Sequence, residues 1–326
     1  PETTTGIMLD VIISLIPALA ASVWLFGPRT LLVTATTVLS CMLSEFFSRK
    51  IMKRQGTLGD LSAIVTGILL AFNLPATIPL WVAAIGSVVA IVVVKQFFGG
   101  IGQNFVNPAL VGRIVLMASF PTMMSTWVQP FAWRGVQVVT TASPLASISS
   151  MFTAGDVSAA ATASNPALPS LWQMLIGQRQ GSLGEVCALA LLLGFAYLLI
   201  RRVITPVIPL TYIGTVAVIM LIAGKGSLSF VAYEILGGGL LLGAIFMATD
   251  YTTSPINFKG KLIYGVGCGI LTALIRLFGS LPEGVSFSII IMNILVPHIE
   301  RLTTPKPFGS AKTPKKKQSR KKEAGA

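Results

Sequence analysis

Three stretches of this chain hold residue types that can do chemistry. The first, Lys95-Gln-Phe-Phe-Gly-Gly-Ile-Gly-Gln-Asn-Phe-Val-Asn-Pro-Ala-Leu110, sets three glycines and two asparagines ahead of a helix start. Gly99, Gly100 and Gly102 let backbone turn tightly or approach a bound group closely. Asn104, Asn107 and the dipole of a helix beginning at Pro108 offer donors to anionic or carbonyl groups. A glycine turn capped by Asn107 describes the same residues equally well, since Asn-Pro is an ordinary helix start. The second stretch, Gly243-Ala-Ile-Phe-Met-Ala-Thr-Asp250, is followed by Thr252, Thr253 and Pro255. Its hydroxyls and carboxylate can bind a ligand, or cap a helix and satisfy backbone. The third, Gln137-Val-Val-Thr-Thr-Ala-Ser-Pro-Leu145, clusters hydroxyls in the middle of a long loop that is almost free of charge.

Other chemistries have no residues to support them. Cys41, Cys187 and Cys268 stand far apart with no CxxC pair, and His298 is the only histidine. No metal site, histidine-ligated haem or iron–sulfur cluster is expected, so redox chemistry would need an organic cofactor. The ionisable residues within or beside apolar runs are Asp10, Glu45, Asp60, Lys95, Arg113, Glu234, Asp250 and Arg276. Such groups are costly in lipid and face protein or water. Arg113, one turn into the helix after Asn-Pro-Ala, can hold a phosphate, pair with an acid or bind a lipid headgroup. Nothing in the sequence separates ion coupling from structural pairing for Glu234 or Asp60.

The elements that position these residues follow from composition. Of 326 residues, 53% are hydrophobic and 11% charged, with a mean hydropathy of +0.80; soluble domains carry about 25% charged residues. The apolar residues fall in runs long enough to cross a bilayer as helix. They predict an all-α polytopic membrane protein with about ten transmembrane helices: Met8 to Phe26, Leu31 to Phe47, Leu61 to Leu74, Ile78 to Val94, Pro108 to Phe120, Val186 to Ile200, Val207 to Ala223, Phe230 to Thr249, Leu262 to Phe278 and Val285 to Val296. The third, fifth and tenth are short. Basic residues collect in alternate connections, at Arg49, Lys50, Lys53 and Arg54, at Arg201 and Arg202, and at Lys259 and Lys261. By the positive-inside rule those loops and both termini are cytoplasmic, and the long connection between the fifth and sixth runs is extracytoplasmic.

A single membrane domain over 1–300 is expected, followed by a basic cytoplasmic tail over 301–326. The tail carries nine basic residues and one acid, Glu323. It reads as a solvated segment resting on anionic membrane lipid, with no aromatics interleaved for nucleic acid. Gly67-Ile-Leu-Leu-Ala-Phe-Asn-Leu-Pro75 closes the third run much as the second stretch closes the eighth, five helices later. Such an offset reverses orientation. It points to two inverted five-helix repeats, 1–120 and 171–300, joined by the loop 121–170, with broken helices around a midplane site.

The three stretches, together with Arg276-Leu-Phe-Gly-Ser-Leu-Pro-Glu-Gly284 and Asn293-Ile-Leu-Val-Pro297, resemble one family in order along nearly the whole chain. It comprises the D subunit of Rnf complexes and the B subunit of the sodium-translocating NADH:quinone reductase. The shortness of the chain favours the Rnf side. The resemblance implies FMN joined by a phosphoester to the last hydroxyl of Thr140-Thr141-Ala142-Ser143, ahead of Pro144. That hydroxyl belongs to Ser143, where the family more often has threonine; Thr140 and Thr141 are the alternative carriers. The resemblance also implies a second, noncovalent flavin such as riboflavin near the cytoplasmic face, with Thr249, Asp250, Thr252 and Thr253 as candidates. Arg113 would then stabilise the negative charge of a reduced flavin.

The implied function is electron relay within an ion-translocating ferredoxin:NAD oxidoreductase of the cytoplasmic (inner) membrane. With no Gly-x-Gly-x-x-Gly element and no cluster ligands in this chain, iron–sulfur and NAD-binding partner subunits would supply those parts, and a flavin transferase would install the FMN. No residue of the chain acts as a catalytic nucleophile in this reading, Ser143 being a tether. The rival class is a small-solute transporter or channel without redox activity.

Overall fold

The structure is a computed structural model that describes residues 3–135, 144–153, 168–279 and 284–304. Gln137, Thr140, Thr141, Ser143 and the basic tail beyond residue 304 lie outside the described residues.

Among the described residues all regular structure is helical. The helices are α1 (Thr4–Phe26), α2 (Arg29–Ile51), α3 (Ser62–Phe72), α4 (Leu80–Gln96), α5 (Pro108–Ser119), α6 (Pro144–Thr153), α7 (Leu171–Ile176), α8 (Ala188–Ile200), α9 (Val207–Ala223), α10 (Leu228–Leu236), α11 (Leu240–Met247), α12 (Phe258–Phe278) and α13 (Val285–Thr303). Each of the ten apolar runs coincides with one of these helices or, for the eighth, with a pair. The architecture is that of a polytopic membrane protein. By length and composition α1, α2, α12 and α13 are full spans. Their lipid-directed faces carry exposed side chains such as Ile16, Leu32, Leu39, Leu274 and Ile294.

Two runs depart from simple spans, for identifiable reasons. The eighth breaks at Gly237-Gly238-Gly239, where α10 and α11 meet at 64° and Gly238 takes φ +62°. Three consecutive glycines leave the chain free to bend in a run whose hydropathy reads as continuous. The freed carbonyls are not left bare: Arg276 Nη2 donates to Gly237 O at 3.2 Å, and its Nη1 donates to Glu234 O at 2.5 Å. The third run is helical over only 11 residues, about 16 Å at ~1.5 Å per residue and too short for a ~30 Å core. Its end is covered by protein, with Gly184 N–H donating to Phe72 O and Leu183 N–H to Leu74 O, both at 3.0 Å. Irregular backbone at membrane depth is tolerable only with such partners.

Glycines set the closest helix contacts. A Cβ on Gly194 of α8 would lie 2.3 Å from the Ser14 carbonyl oxygen of α1, so only the bare backbone permits this approach. Gly194→Ala must push α1 and α8 apart. A cost of about 2–3 kcal/mol is expected, read as a lower melting midpoint of the detergent-solubilised protein; an unchanged midpoint would show that the contact is not tight. A second anchor is polar. Tyr212 Oη lies 2.6 Å from Thr272 Oγ1 and 2.9 Å from Ser288 Oγ, tying α9, α12 and α13 together.

The basic connections gather at one end of the bundle. Arg54 reaches Gln96 O at 3.1 Å, Arg201 pairs with Asp10 at 3.2 Å, Thr5 reaches Gly59 O, Lys261 reaches Thr205, and the Tyr251 hydroxyl donates to Val203 O. The opposite end holds Arg29 bonded to Ala76 O, Phe131 N–H donating to Leu25 O, and the edge-to-face pairs Trp24–Phe131 and Trp81–Phe120. The described parts of the loop between the fifth and sixth runs belong to that second end.

Candidate functional site

At the basic end, the glycine–asparagine stretch and the end of α11 line one cavity together. It has a cavity volume of about 110 Å³ and opens to one side. Its polar lining is Ser62, Thr66, Lys95, Asn104, Asn107, Thr249, Asp250 and Thr252; Leu69, Leu198, Ile245, Phe246 and Tyr251 supply apolar surface. A cleft with a few polar groups on an apolar wall is the usual form of a small-molecule site. Both halves of the chain contribute. The cavity also adjoins both π-helical segments found among the described residues, Val89–Gln96 and Gly243–Met247. Such widened turns recur at functional sites because they displace side chains from the regular helical register.

The sequence explains how these residues are held. Asn107 is the N-cap of α5, its Oδ1 accepting from Ala109 N–H at 3.1 Å and Leu110 N–H at 3.3 Å. Its Nδ2 donates to Met247 O at 3.3 Å, joining the start of α5 to the end of α11. Asn293 of α13 lies behind this junction. With its amide oriented to satisfy both ends, it accepts from Asn107 N–H at 3.1 Å and donates to Thr253 O at 3.1 Å and the Tyr264 hydroxyl at 2.6 Å. Asn104 is buried and donates to Val106 O at 3.1 Å, closing the turn that precedes the helix. Thr249 bonds back to Ile245 O at 2.5 Å.

Asp250 follows the helix and accepts from Thr252 N–H at 3.2 Å and Thr253 Oγ1 at 3.4 Å. Burial pushes its carboxyl above the ordinary aspartate range, opposed by the hydrogen bonds from Thr252 and Thr253.

Five of the sequence candidates, Asn104, Asn107, Thr249, Asp250 and Thr252, thus meet in one cavity. Thr253 does not line it; it is buried beneath Asp250. Arg113 is not brought there either. Its Nη1 donates to Asn73 Oδ1 at 2.6 Å, in a second polar centre where the broken segments meet. There Arg179 donates to Glu185 O at 2.7 Å and Val186 O at 3.2 Å, and Glu185 Oε1 accepts from Ser182 N–H. Gly239 lies between Glu185 and Arg113: a Cβ on it would be 3.1 Å from Glu185 Oε2 and 3.6 Å from Arg113 Nη1.

Pro144 and Leu145 are buried. Leu145 Cδ1 lies 3.4 Å from where a Cβ on Gly237 would sit, so the described edge of the hydroxyl-rich segment is anchored beside the α10–α11 break.

Sequence reasoning left four contributors off the site: Ser62, Thr66 and Lys95 in the lining, and Asn293 behind it. Lys95 carried a signal, as a cation in an apolar run, and so did Asn293 within a quoted motif. Ser62 carried none, because a serine at a helix start is commonplace. The acids flagged in apolar runs find bases in two further cases: Glu45 pairs with Lys95 at 2.8 Å and Glu234 with Arg276 at 3.0 Å. The three cysteines are buried and free. No cluster of His, Cys, Asp or Glu suited to a metal ion occurs among the described residues.

Asn107→Ala removes a helix cap and the bond between the two halves. A loss of about 2 kcal/mol is expected, seen as earlier thermal unfolding in detergent. Asn107→Asp keeps the cap acceptor but places a carboxylate against Met247 O, so it should be no better tolerated; a fully stable Asp variant would refute the assigned orientation.

Residues 1–309 match the NQR2, RnfD, RnfE family. The chain is 44% identical over 315 residues to the D subunit of the Na(+)-translocating ferredoxin:NAD(+) oxidoreductase complex of Acetobacterium woodii, covering 96% of this chain and 93% of that one. It is 39% identical over 318 residues to the D subunit of the proton-translocating ferredoxin:NAD(+) oxidoreductase complex of Clostridium ljungdahlii, covering 95% and 93%. Against the D subunit of the ion-translocating oxidoreductase complex of Escherichia coli K12 the identity is 32% over 345 residues, covering 95% of each chain.

Proposed function

The chain belongs to the NQR2, RnfD, RnfE family, and from that premise we propose that it is the electron-relaying D subunit of an Rnf-type ion-translocating ferredoxin:NAD oxidoreductase. In this reading FMN is esterified through its phosphate to Ser143, and a second, noncovalent flavin occupies the cavity between the two halves. The observation that carries the second site is the meeting of Asn104, Asn107, Thr249, Asp250 and Thr252 in one cleft. These residues come from two segments about 140 positions apart that nothing in the sequence links to each other.

The donor set fits the group. A flavin ring presents an apolar xylene end and a polar pyrimidine edge; the cavity offers Phe246, Ile245 and Leu69 for the one, and amide, hydroxyl and ammonium donors for the other. The single ammonium is already paired with Glu45, and Asp250 adds a carboxylate. No spare positive charge is left for a phosphate, which favours an uncharged flavin such as riboflavin over a phosphorylated one.

A bound flavin supplies the ability to accept and release electrons one or two at a time. The chain's own residues fix its position: Asn107 and Asn293 hold the two halves in register, and the apolar wall excludes water from the ring. Positive-inside placement of the basic end puts the cavity and both termini on the cytoplasmic side and Ser143 on the outer side, so the two flavins would lie at different depths of the cytoplasmic membrane. Partner subunits bearing iron–sulfur clusters and an NAD site would deliver and remove electrons, and a flavin transferase would install the FMN.

The test has two arms on the complex purified from a host with a working flavin transferase. A denaturing gel reads covalent flavin as a fluorescent band at this subunit. Acid precipitation releases noncovalent flavin for chromatography. A dark band counts against the tether, and an acid supernatant without flavin counts against the cavity. Failure of both arms leaves the solute-transporter reading.

A further inference from the structure

Lys95 is 3% exposed, yet it lines the cavity. Its Nζ lies 2.8 Å from Glu45 Oε2 and 2.6 Å from Ser62 Oγ. Each partner is itself fixed. Glu45 Oε1 accepts from the Thr57 hydroxyl, and the Ser62 hydroxyl donates to Asp60 Oδ1, so Ser62 can only accept from Lys95. An ammonium has three N–H donors; the clamp engages two and leaves the third. Among the described residues Lys95 is the one cation in the lining, beside Asn104 and Asn107. A buried ion pair contributes little net stability compared with apolar packing, so its placement in a cavity wall calls for a functional account.

We propose that Lys95 contacts the cavity ligand. Its remaining N–H bonds the carbonyl and ring-nitrogen edge of the flavin, a hydrogen bond that strengthens as reduction makes that edge electron-richer and so favours the reduced form over the oxidised one. Glu45 and Ser62 are positioning residues that hold the ammonium in place. The inference rests on the noncovalent-flavin reading above and adds to it the residue that sets the potential of that step.

The experiment uses the whole complex in a Ser143→Ala background, so that this subunit's covalent flavin does not contribute. Acid-released flavin per complex is measured, and the midpoint potential is followed by optical redox titration as a difference between Lys95 variants. Glu45→Gln combined with Lys95→Met removes both charges and leaves neither buried alone. It is expected to lower acid-released flavin at least fivefold. Where flavin is retained, its potential should fall by about 30 mV or more, the equivalent of a tenfold change in relative affinity for the two redox forms of a two-electron couple. Ser62→Ala keeps the ion pair but loosens the clamp, and should shift the potential in the same direction by less.

A double variant with parental flavin content and potential overturns the role of Lys95 and leaves the cavity reading standing. If the double variant does not assemble, an unchanged potential in Ser62→Ala overturns it instead. A parental complex that releases no flavin on acid treatment overturns the cavity reading, and this inference with it.

Discussion

Ser143→Ala should leave the protein without covalent flavin, so that its band on a denaturing gel is dark while the protein remains in the membrane at normal abundance. A phosphoester needs a side-chain oxygen, and alanine has none, so the effect is complete rather than graded. Thr140→Ala and Thr141→Ala should stay fluorescent, because their hydroxyls precede the attachment position. Ser143→Thr should also stay fluorescent, since the resembling family more often has threonine there. A fluorescent Ser143→Ala band, with loss in Thr140→Ala or Thr141→Ala, would move the tether to that threonine. Folding is not expected to suffer, because the neighbours that anchor this edge, Pro144 and Leu145, are themselves buried. A solute transporter without redox activity would show no fluorescence in any of these proteins.

Arg276→Met should be among the most destabilising single changes in the bundle. The guanidinium is buried and does two jobs at once. It neutralises Glu234 at 3.0 Å, and it donates to the carbonyls of Glu234 and Gly237 that the α10–α11 break has released. Removing one partner of a buried pair costs about 3–5 kcal/mol, because the other charge is left uncompensated. Here two carbonyls also lose their donor in a region from which water is excluded. Glu234→Gln should cost less, since the amide oxygen can still accept. Combining it with Arg276→Met should recover part of the loss, because no lone charge remains; the recovery is the coupling that a double-mutant cycle measures. Thermal unfolding of the detergent-solubilised complex reads these differences. An Arg276→Met protein that melts with the parent would show that the break is held by other contacts.

Much of the fold was legible because lipid imposes a one-dimensional rule. Nine of the ten apolar runs became single helices and the eighth a broken pair, and the alternation of basic loops corresponds to connections that do gather at one end of the bundle. Hydropathy alone did not show where continuity fails; the polar endings of the third and eighth runs, not their apolarity, pointed to broken helices. Hydropathy counts Gly237-Gly238-Gly239 as apolar, yet the backbone there bends through 64° and depends on Arg276, about forty residues away, for its hydrogen bonds. Hydropathy likewise reads Leu61 to Leu74 as one short span, although its end is completed by the loop at Leu183 and Gly184.

The candidate site divides in the same way. The glycine–asparagine spacing ahead of a helix start marked Asn104 and Asn107, the family resemblance marked Thr249 and Asp250, and one histidine with three scattered cysteines left no residues for metal or haem chemistry. Only the tertiary structure brought those residues into one cavity, sent Arg113 to Asn73 instead, and seated Lys95 between Glu45, fifty residues before it, and Ser62. The physical reason is that insertion into lipid is decided helix by helix, by local apolarity that the sequence carries in order. The partner of a buried charge or a released carbonyl is decided by which helices pack side by side, and that choice depends on glycine contacts and side-chain reach far apart in the chain.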